Sequence, residues 1–450
     1  MNRIGSLVIL FVVLAAGSLF AQLKVDYEYY KLDNGLKVVL SQNKTAPLVT
    51  VAVYYNIGFR IEPRNRTGFA HLFEHMMFQG SKNLGKMEFI KLVQSNGGIL
   101  NGSTRFDFTN YFAIVPSHKL ETILWAEADR MSGLDITQEN LTNQQGVVTN
   151  EVKVNVLNQP YGGFPWLDLP QAANENWYNA HNFYGDLKDL DAATLEDVKD
   201  FFNKYYIPNN AALVVTGDFE THEAKAFIEK YFGKIPAGNL QALPDISEPK
   251  QEKEKVSVKV DSLANKPAVA LGYKMPQVGT PEYFAMGILD QILLQGQDSR
   301  LYQKLISEKG YYSGVYGGIN SGLGNMFNYN GPMLWDMFLL HENNVNSDDI
   351  LKDIDEVIAG VIEKPLSKAE IDRALVKMRS NLYDVVEGTF GFGLADLLAC
   401  YALFNDDPGK VNTLEDSFRK VTPELIQKTA KDYLRSSNRT VIKLDAKATK

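Results

Sequence analysis

The chain has 450 residues, of which 45% are hydrophobic and 22% are charged. This composition is typical of a folded globular protein and excludes wholesale disorder. Lys and Arg number 46 against 54 Asp and Glu, a net charge of −8, which argues against nucleic acid as the main partner because phosphates need a basic surface. The single cysteine, Cys400, excludes an internal disulfide framework and a thiolate-rich metal site. The length predicts two or three domains.

Residues 1–21 have the pattern of a secretory signal peptide. Arg3 precedes an apolar run from Leu7 to Ala16, and small residues with Ala21 follow. The run is short for a membrane span, so an uncleaved anchor is the less favoured interpretation. No other span of about 18 apolar residues follows. We therefore expect a periplasmic or secreted protein that keeps no stable membrane span after the signal is cleaved.

The first half alternates strand and helix patterns. A hairpin is predicted around Asp33-Asn34-Gly35, a strong turn signal. The segment LVTVAVYY at 48–55 predicts a buried strand, because β-branched and aromatic residues favour strands. Apolar spacing and helix-start residues predict helices over 67–78, 117–131, 137–157 and 194–206, the last opened by Thr194, and a strand over 211–216.

The pattern lapses between Gly233 and Lys255, where three prolines and a charge run indicate a solvated linker. It then resumes with strands over 256–260 and 267–273 and helices over 282–294 and 367–386. About half a chain length apart, 206–215 and 433–442 both end a helix and start a strand with the same internal spacing. We predict two related α+β domains, 22–235 and 255–450, joined by a linker over 236–254.

One helical segment carries the motif His71-Leu72-Phe73-Glu74-His75. At about 100° per residue, His71 and His75 lie about 40° apart on the helical wheel, and Glu74 lies about 60° to the other side of His71. Two neutral nitrogen ligands and a carboxylate on one face are what a catalytic zinc site needs. Such a match is expected by chance roughly 0.005 times in a chain of this composition. Two core histidines beside a buried glutamate are the weaker alternative, because an unpaired buried carboxylate is costly.

The third zinc ligand must come from elsewhere in the chain. Glu151 is attractive because it follows a pair of valines on a second predicted helix. The local pattern alone leaves three other candidates open: Glu121, Glu127 and Glu139.

Nearly the whole chain beyond the signal resembles the pitrilysin/insulinase family of zinc metallopeptidases, the inverzincins that carry H-x-x-E-H. The resemblance implies an α+β fold of two related domains, each a mainly antiparallel β-sheet packed with α-helices. The segments that carry it are Gly68–Lys82, Gly97-Gly98-x-x-Asn101 with Thr104, Thr109–Tyr111, Tyr205–Asn210, Val214–Asp218 and Tyr231–Pro236.

The resemblance implies metal-assisted peptide hydrolysis with one Zn²⁺ per chain. His71, His75 and Glu151 would hold the ion, which lowers the pKa of its bound water toward about 7. Glu74 would take the proton of the attacking water and pass it to the leaving amine. The resemblance thus selects Glu151 among the open glutamates.

The family binds its substrate as an added strand beside the Gly-Gly-x-x-Asn segment. By resemblance, Gly98 and Asn101 are substrate-binding candidates, although an ordinary turn role for Asn101 is an equal alternative. The aromatic-rich stretch 166–184 could line a groove, but loop packing is the favoured interpretation.

Two departures from the family pattern concern the site. Gln144 stands where active members carry a second glutamate that supports the ligands, and we expect its amide to donate a hydrogen bond to Glu151. Ile306 and Ser313 stand where the second domain supplies an Arg and a Tyr for the substrate carbonyl and the oxyanion. A shifted register could draw instead on nearby residues: Arg300, Tyr311 and Tyr312.

These features predict a zinc metalloendopeptidase subunit that hydrolyses unfolded or short peptides. A related two-domain partner chain would supply the Arg/Tyr pair in a heterodimer. The alternative is a non-catalytic peptide-binding or assembly subunit that retains the fold.

Overall fold

The computed structural model describes residues 23–312, 314–388 and 393–446. The predicted signal peptide and Ser313 lie outside these ranges. Within them, the chain forms two β-sheets, each packed with helices. The strands are β1 (Glu28–Lys31), β2 (Lys37–Gln42), β3 (Leu48–Tyr55), β4 (Ile99–Thr104), β5 (Thr109–Pro116), β6 (Ala211–Gly217), β7 (Lys255–Asp261), β8 (Ala268–Lys274), β9 (Tyr316–Ile319), β10 (Leu334–Leu340) and β11 (Arg439–Ala446).

The two sheets share one topology over five strands, and the first sheet has β1 as a sixth strand at its edge. The first has the order β1-β2-β6-β3-β5-β4, and the second has the order β7-β11-β8-β10-β9. In each sheet the last strand of the half inserts parallel to one neighbour and antiparallel to the other: β6 between β2 and β3, and β11 between β7 and β8. The remaining pairs are antiparallel. The prediction of an α+β fold of two related, mainly antiparallel domains is therefore confirmed.

The helices lie between these strands along the chain. They are α1 (Phe69–Met76), α2 (Glu88–Ser95), α3 (Leu120–Ser132), α4 (Gln138–Val152), α5 (Asp168–Ala173), α6 (Trp177–Ala180), α7 (Leu187–Asp191), α8 (Leu195–Tyr205), α9 (Thr221–Phe232), α10 (Pro281–Leu293), α11 (Ser347–Glu363), α12 (Lys368–Glu387), α13 (Gly393–Asn405), α14 (Leu414–Arg419) and α15 (Pro423–Tyr433).

Each half covers part of the other half's sheet. Helix α5 of the first half packs on β7, β8 and β11, whereas α13 of the second half packs on β2, β3 and β6. One hydrophobic cluster consequently contains residues of both halves, among them Tyr54 and Phe112 with Leu271 and Cys400. Burial of this shared apolar surface holds the halves together.

Most predicted elements are present, with shifted ends. The strand predicted at 48–55 is β3, and Thr194 caps α8 in a capping box with Asp197. The helix predicted over 137–157 ends earlier: α4 stops at Val152 and continues as a wider π-helical segment, Lys153–Leu157.

The predicted linker, 236–254, contains no helix or strand, and most of its residues are exposed, with Gln251 as the buried exception. Gln251 is buried and donates to the carbonyl of Arg439, and Glu248 pairs with Lys274. The domain boundaries themselves stay a prediction. No helix in the described ranges combines the length and the apolar character that crossing a membrane would require.

Candidate active site

Helix α1 carries the H-x-x-E-H motif and begins in a tightly constrained way. Gly68 precedes it with φ of 81°, and an added Cβ would lie 2.4 Å from the carbonyl oxygen of Tyr184. The buried carboxylate of Glu62 accepts hydrogen bonds from the amides of Gly68 (2.9 Å) and Ala70 (2.5 Å). This carboxylate accepts hydrogen bonds from amides that the first helical turn leaves unpaired. Its negative charge also interacts favourably with the positive end of the helix dipole.

Three ligand-type side chains converge above α1. The Nε2 atoms of His71 and His75 are 3.3 Å apart. The Glu151 carboxylate, from α4, lies 3.6 Å from Nε2 of His71 and 3.3 Å from Nε2 of His75. Among the described residues, these three form the one group of His, Cys, Asp or Glu whose ligand atoms could hold a metal ion, all within 4.8 Å of one another.

The spacing and chemistry of this triad fit zinc. A tetrahedral centre with bonds of about 2.0–2.2 Å has ligand atoms about 3.3–3.6 Å apart, which matches the separations above. Two imidazoles and one carboxylate are also the donor set of many catalytic zinc sites, which keep a fourth position open.

The protonation of the triad suits metal binding. Burial lowers the pKa of His71 to about 3, so its ring is neutral near pH 7. Hydrogen bonding to His75 lowers the pKa of Glu151 and keeps it ionised. Neutral imidazole and carboxylate are the forms that bind a cation.

Aromatic side chains position the triad. The hydroxyl of Tyr184 donates to Oε1 of Glu151 at 3.1 Å. The ring of Phe183 lies 4.6 Å from that of His71, and the ring of Tyr184 lies 5.1 Å from it. Nδ1 of His71 is buried without a hydrogen-bond partner among the described residues. Ring packing therefore orients His71, whereas many metal-bound histidines are oriented by a hydrogen bond from their second ring nitrogen.

Glu74 lies between α1 and the edge strand β4. The hydroxyl of Thr104 donates to its Oε2 at 2.9 Å. An added Cβ on Gly102 would lie 3.3 Å from Cγ of Glu74, so the glycine makes room for this side chain. Burial raises the pKa of the Glu74 carboxyl, and the Thr104 hydrogen bond opposes that rise.

Strand β4 ends the first sheet and pairs only with β5 among the described strands. Its side chains alternate, so Gly102 and Thr104 face α1 while exposed Asn101 lies on the opposite face. Gly98 precedes the strand, and an added Cβ there would lie 2.6 Å from Val115. The substrate-binding roles of Asn101 and Gly98 stay predictions, but the strand that carries Asn101 does have an unpaired edge.

The expected contact between Gln144 and Glu151 is not among the hydrogen bonds of the described residues. Gln144 is buried, and its amide donates to Oδ1 of Asn143 at 2.8 Å. Seven residues along α4 are two turns, about 10.5 Å along the axis, and the nearer Asn143 takes the amide. Tyr184 supplies the hydrogen bond that was expected from Gln144.

Within the described part of the second half, neither Arg300 nor Tyr311 is free to take the place of the expected Arg/Tyr pair. Ile306 packs against the shared hydrophobic cluster. Arg300 is ion-paired with Glu370 at 2.6 Å, and the hydroxyl of Tyr311 bonds Asp353. Two of the three candidates for a shifted register, Arg300 and Tyr311, therefore already have partners within the second half. Tyr312 lies beneath the ammonium group of Lys266, 5.1 Å from it.

Sequence reasoning missed two positioning residues, Glu62 and Tyr184. Neither belongs to the motif. Tyr184 reaches Glu151 across 33 positions, whereas Glu62 lies six and eight positions before the amides that it caps. The only available signal was the aromatic-rich stretch that contains Tyr184, whose favoured interpretation was loop packing.

Comparison with known proteins follows the division into halves. The family profile described as insulinase (peptidase family M16) matches residues 37–161, which contain the triad. The profile described as peptidase M16 inactive domain matches residues 192–378. Together the two profiles match more than half of the chain.

Individual relatives extend this likeness over most of the chain. The chain is 27% identical over 428 residues to the zinc protease PqqE of Helicobacter pylori, covering 92% of each chain. It is 21% identical to the mitochondrial-processing peptidase subunit beta of Saccharomyces cerevisiae, covering 80% of this chain and 78% of that one. The crystal structure of a protease from Helicobacter pylori superposes with a TM-score of 0.86 at 25% identity, covering 94% of this chain and all of that one.

Proposed function

The chain belongs to the pitrilysin/insulinase family of peptidases, family M16, and from this premise we propose that it is a zinc-dependent endopeptidase subunit acting on unfolded or short peptides. The observation that carries the proposal is the convergence of His71, His75 and Glu151 beside Glu74. A purely structural zinc site would have no need of the fourth residue, which is not a ligand.

His71, His75 and Glu151 would hold the zinc ion. When bound there, zinc supplies Lewis-acid chemistry, acidifying a water and polarising a carbonyl. Glu74 accepts the proton of the attacking water and returns it to the leaving amine. The Thr104 hydroxyl holds the Glu74 carboxylate in place, and the unpaired edge of β4 can bind an extended peptide through its backbone.

Metal content and turnover test this assignment together. We expect about one zinc per chain in the wild type, and much less in His71→Ala and Glu151→Gln. Glu74→Gln should keep its zinc and lose turnover by about 10²–10⁴, because only the proton carrier is removed. Equal zinc in all four proteins, or a fully active Glu74→Gln protein, would contradict the proposal.

We further propose that the chain is the zinc-bearing half of a heterodimer. Ile306 cannot stabilise an oxyanion, and Arg300 and Tyr311 are bonded to other residues of the second half. Loss of one oxyanion donor lowers turnover by about 10²–10³. A related two-domain chain that carries the missing Arg and Tyr could complete the site.

The test assays the chain alone on unstructured peptides and then with a co-exported relative that has the Arg/Tyr pair. We expect cleavage only by the mixture, abolished by Glu74→Gln in this chain. Strong cleavage by the isolated chain, unchanged by the relative, would contradict the heterodimer. Peptide binding without cleavage under either condition would favour the non-catalytic alternative.

The proposed location is the periplasm or the extracellular medium. Its basis is the apolar N-terminal segment, which lies outside the described residues. Mass spectrometry of the protein from the periplasmic fraction should show a mature chain that begins near residue 22. An intact N-terminus in the cytoplasmic fraction would contradict export.

A further inference from the structure

A cavity of about 360 Å³ lies where the two halves meet. The first half contributes residues of 164–174 together with Phe106 and Phe183, and the second half contributes 320–323 and part of β10. Ser321 and Gly322 are exposed and form its rim. The volume is at the lower end of the range for ligand pockets, about 300–1,000 Å³, so it suits one side chain.

One carboxylate, that of Asp336, lies among these largely apolar walls. It is the single ionisable side chain among the described residues that line the cavity. The residues directly opposite it are Gly272 on β8 and Gly318 on β9, neither of which has a side chain. The hydroxyl of Ser321 donates to its Oδ1 at 2.7 Å.

Asp336 has no cationic partner. Within the described part of the chain, no Lys, Arg or His pairs with it, whereas Asp107 and Glu248 pair with Arg60 and Lys274. A carboxylate held in apolar surroundings without a counter-charge is costly. The cavity therefore offers a place where a cation would be stabilised.

The cavity shares a wall with the candidate zinc site. Phe183 lines the cavity, and its ring lies 4.6 Å from that of His71. Trp166 also lines the cavity, and its ring lies 5.9 Å from that of Tyr184, which bonds Glu151. The cavity therefore lies next to the candidate zinc site.

We propose that this cavity is a specificity subsite for a lysine or arginine side chain of the peptide, an inference that rests on the function proposed above. The aliphatic stem of such a side chain lies against the aromatic walls, and its charged end pairs with Asp336. Aromatic faces also attract cations, so Trp166 and Phe338 add to the selectivity. The net charge of −8 favours the approach of basic peptides.

The electrostatics of Asp336 agree with this assignment. Burial raises the pKa of its carboxyl to about 7, and the nearby Asp290 adds to the rise. A cation in the cavity would stabilise the ionised carboxylate and lower that pKa. A norleucine side chain, which has the stem of lysine without the ammonium group, would gain only the apolar contacts.

Binding rather than turnover provides the test. Labelled peptides are titrated into the zinc-loaded full chain carrying Glu74→Gln, so that none is cleaved. A single lysine is moved through the positions of the peptide, and each peptide is paired with one that has norleucine there. We expect about tenfold or tighter binding for lysine at one position, the effect of one charge-assisted hydrogen bond. Arginine at that position should act like lysine.

Asp336→Asn, which keeps the shape and a partner for Ser321, should remove most of this preference. The matched control is Glu342→Gln, which lies just beyond β10 and outside the cavity and should keep the preference. Equal binding of the lysine and norleucine peptides at every position would overturn the proposal without any need for a variant. A preference that persists in folded Asp336→Asn would also overturn it. A lysine preference in a protein that cleaves no peptide would support the subsite while the proposed peptidase function fails.

Discussion

At the scale of single residues, one phenolic hydroxyl stands out beside the zinc triad. Tyr184 donates to Glu151 and packs its ring on His71. Tyr184→Phe removes the hydrogen bond and keeps the ring. Because groups that orient a metal ligand change metal affinity by about 10–100-fold, we expect Tyr184→Phe to bind zinc about tenfold more weakly in competition with a chelator.

Gln144 provides the comparison for this experiment. Its amide bonds Asn143, so Gln144→Ala should weaken zinc binding less than Tyr184→Phe does. The reverse order would restore the role that the sequence predicted for Gln144. Circular dichroism of both variants would show whether α4 is preserved.

A second residue-scale expectation concerns Asp396, buried where α13 meets the first sheet. The hydroxyl of Tyr54 and the amide of Asn328 donate to it, yet burial raises its pKa to about 6. The pKa of an aspartate in the unfolded chain is about 3.9. Because the folded-state pKa is higher, the free energy of unfolding falls by about 1.4 kcal/mol per pH unit as the pH rises from about 3.9 to about 6. The free energy of unfolding of Asp396→Asn minus that of the wild type should therefore increase by about 2–3 kcal/mol between pH 4 and pH 7.

Urea unfolding of both proteins across this pH range measures the difference. Asp406→Asn is the control, because ion pairing with Lys31 lowers the pKa of Asp406 to about 2. That group is fully ionised in both states above about pH 5, so its difference from the wild type should stay constant from there upward. A constant difference for Asp396→Asn as well would show that burial does not disfavour its ionised form.

The residues of the site differ in how much local sequence reveals about them. His71, Glu74 and His75 lie within five positions, and helix geometry alone brings them to one face. Glu151 needed the resemblance, because three other glutamates fitted the local pattern. The contact of Tyr184 with Glu151 was not predictable from its aromatic-rich stretch, since the hydroxyl reaches Glu151 only after the loop between α6 and α7 folds back over α1.

At the scale of elements, the N-terminus of α1 depends on a carboxylate outside the helix. Glu62 accepts from two amides of the first turn and lies 3.6 Å from Nε2 of His181. Glu62→Ala would leave these donors buried and unpaired. We expect a loss of about 2 kcal/mol or more in the free energy of unfolding, measured by urea denaturation.

Glu88 offers a matched control at the start of α2. It accepts from the amide of Gly85 at 2.7 Å, but it is exposed, so water can replace the carboxylate. Glu88→Ala should therefore cost less than about 1 kcal/mol. Equal losses in the two variants would mean that burial of the Glu62 cap is unimportant.

Elements with a strong local signal were predictable, whereas those defined by long-range packing were not. The apolar run of β3 and the capping residue of α8 gave correct positions. Helix α13 lies in an apolar segment that no predicted element covered, because its burial depends on the other half's sheet. The end of α4 was missed since Lys153–Leu157 remains helical but widens to a π-helix, a change without a sequence signal.

At the scale of the whole molecule, the internal similarity predicted two related domains, and five strands of each sheet follow the same order. The packing of α5 and α13 on each other's sheets could not be predicted. The apolar residues of each helix contact strands that lie far away in the chain. The linker illustrates the same limit. Its charged residues at 250 and 252–254 are exposed as their charges indicate, but the burial of Gln251 among them depends on a hydrogen bond to β11 that local sequence does not reveal.

The junction of the halves also contains a buried ion pair, which leads to the last expectation. Arg60 donates to Asp107 at 2.6 Å, and the second oxygen of Asp107 accepts from the amide of Asn330 at 2.8 Å. Arg60 also donates to the carbonyl of Pro332 at 3.1 Å. Asp107→Ala would leave the guanidinium buried without its counter-charge, which typically costs about 3–5 kcal/mol.

Equilibrium urea unfolding should show that loss. Glu342→Ala, which breaks the exposed pair with Lys266, should change stability by less than about 1 kcal/mol. The shared cluster makes the halves interdependent, so we expect Asp107→Ala to lower the midpoint of one common transition. If Asp107→Ala were no more destabilising than Glu342→Ala, the pair would not hold the halves together, and the apolar contacts of α5 and α13 would have to do so alone.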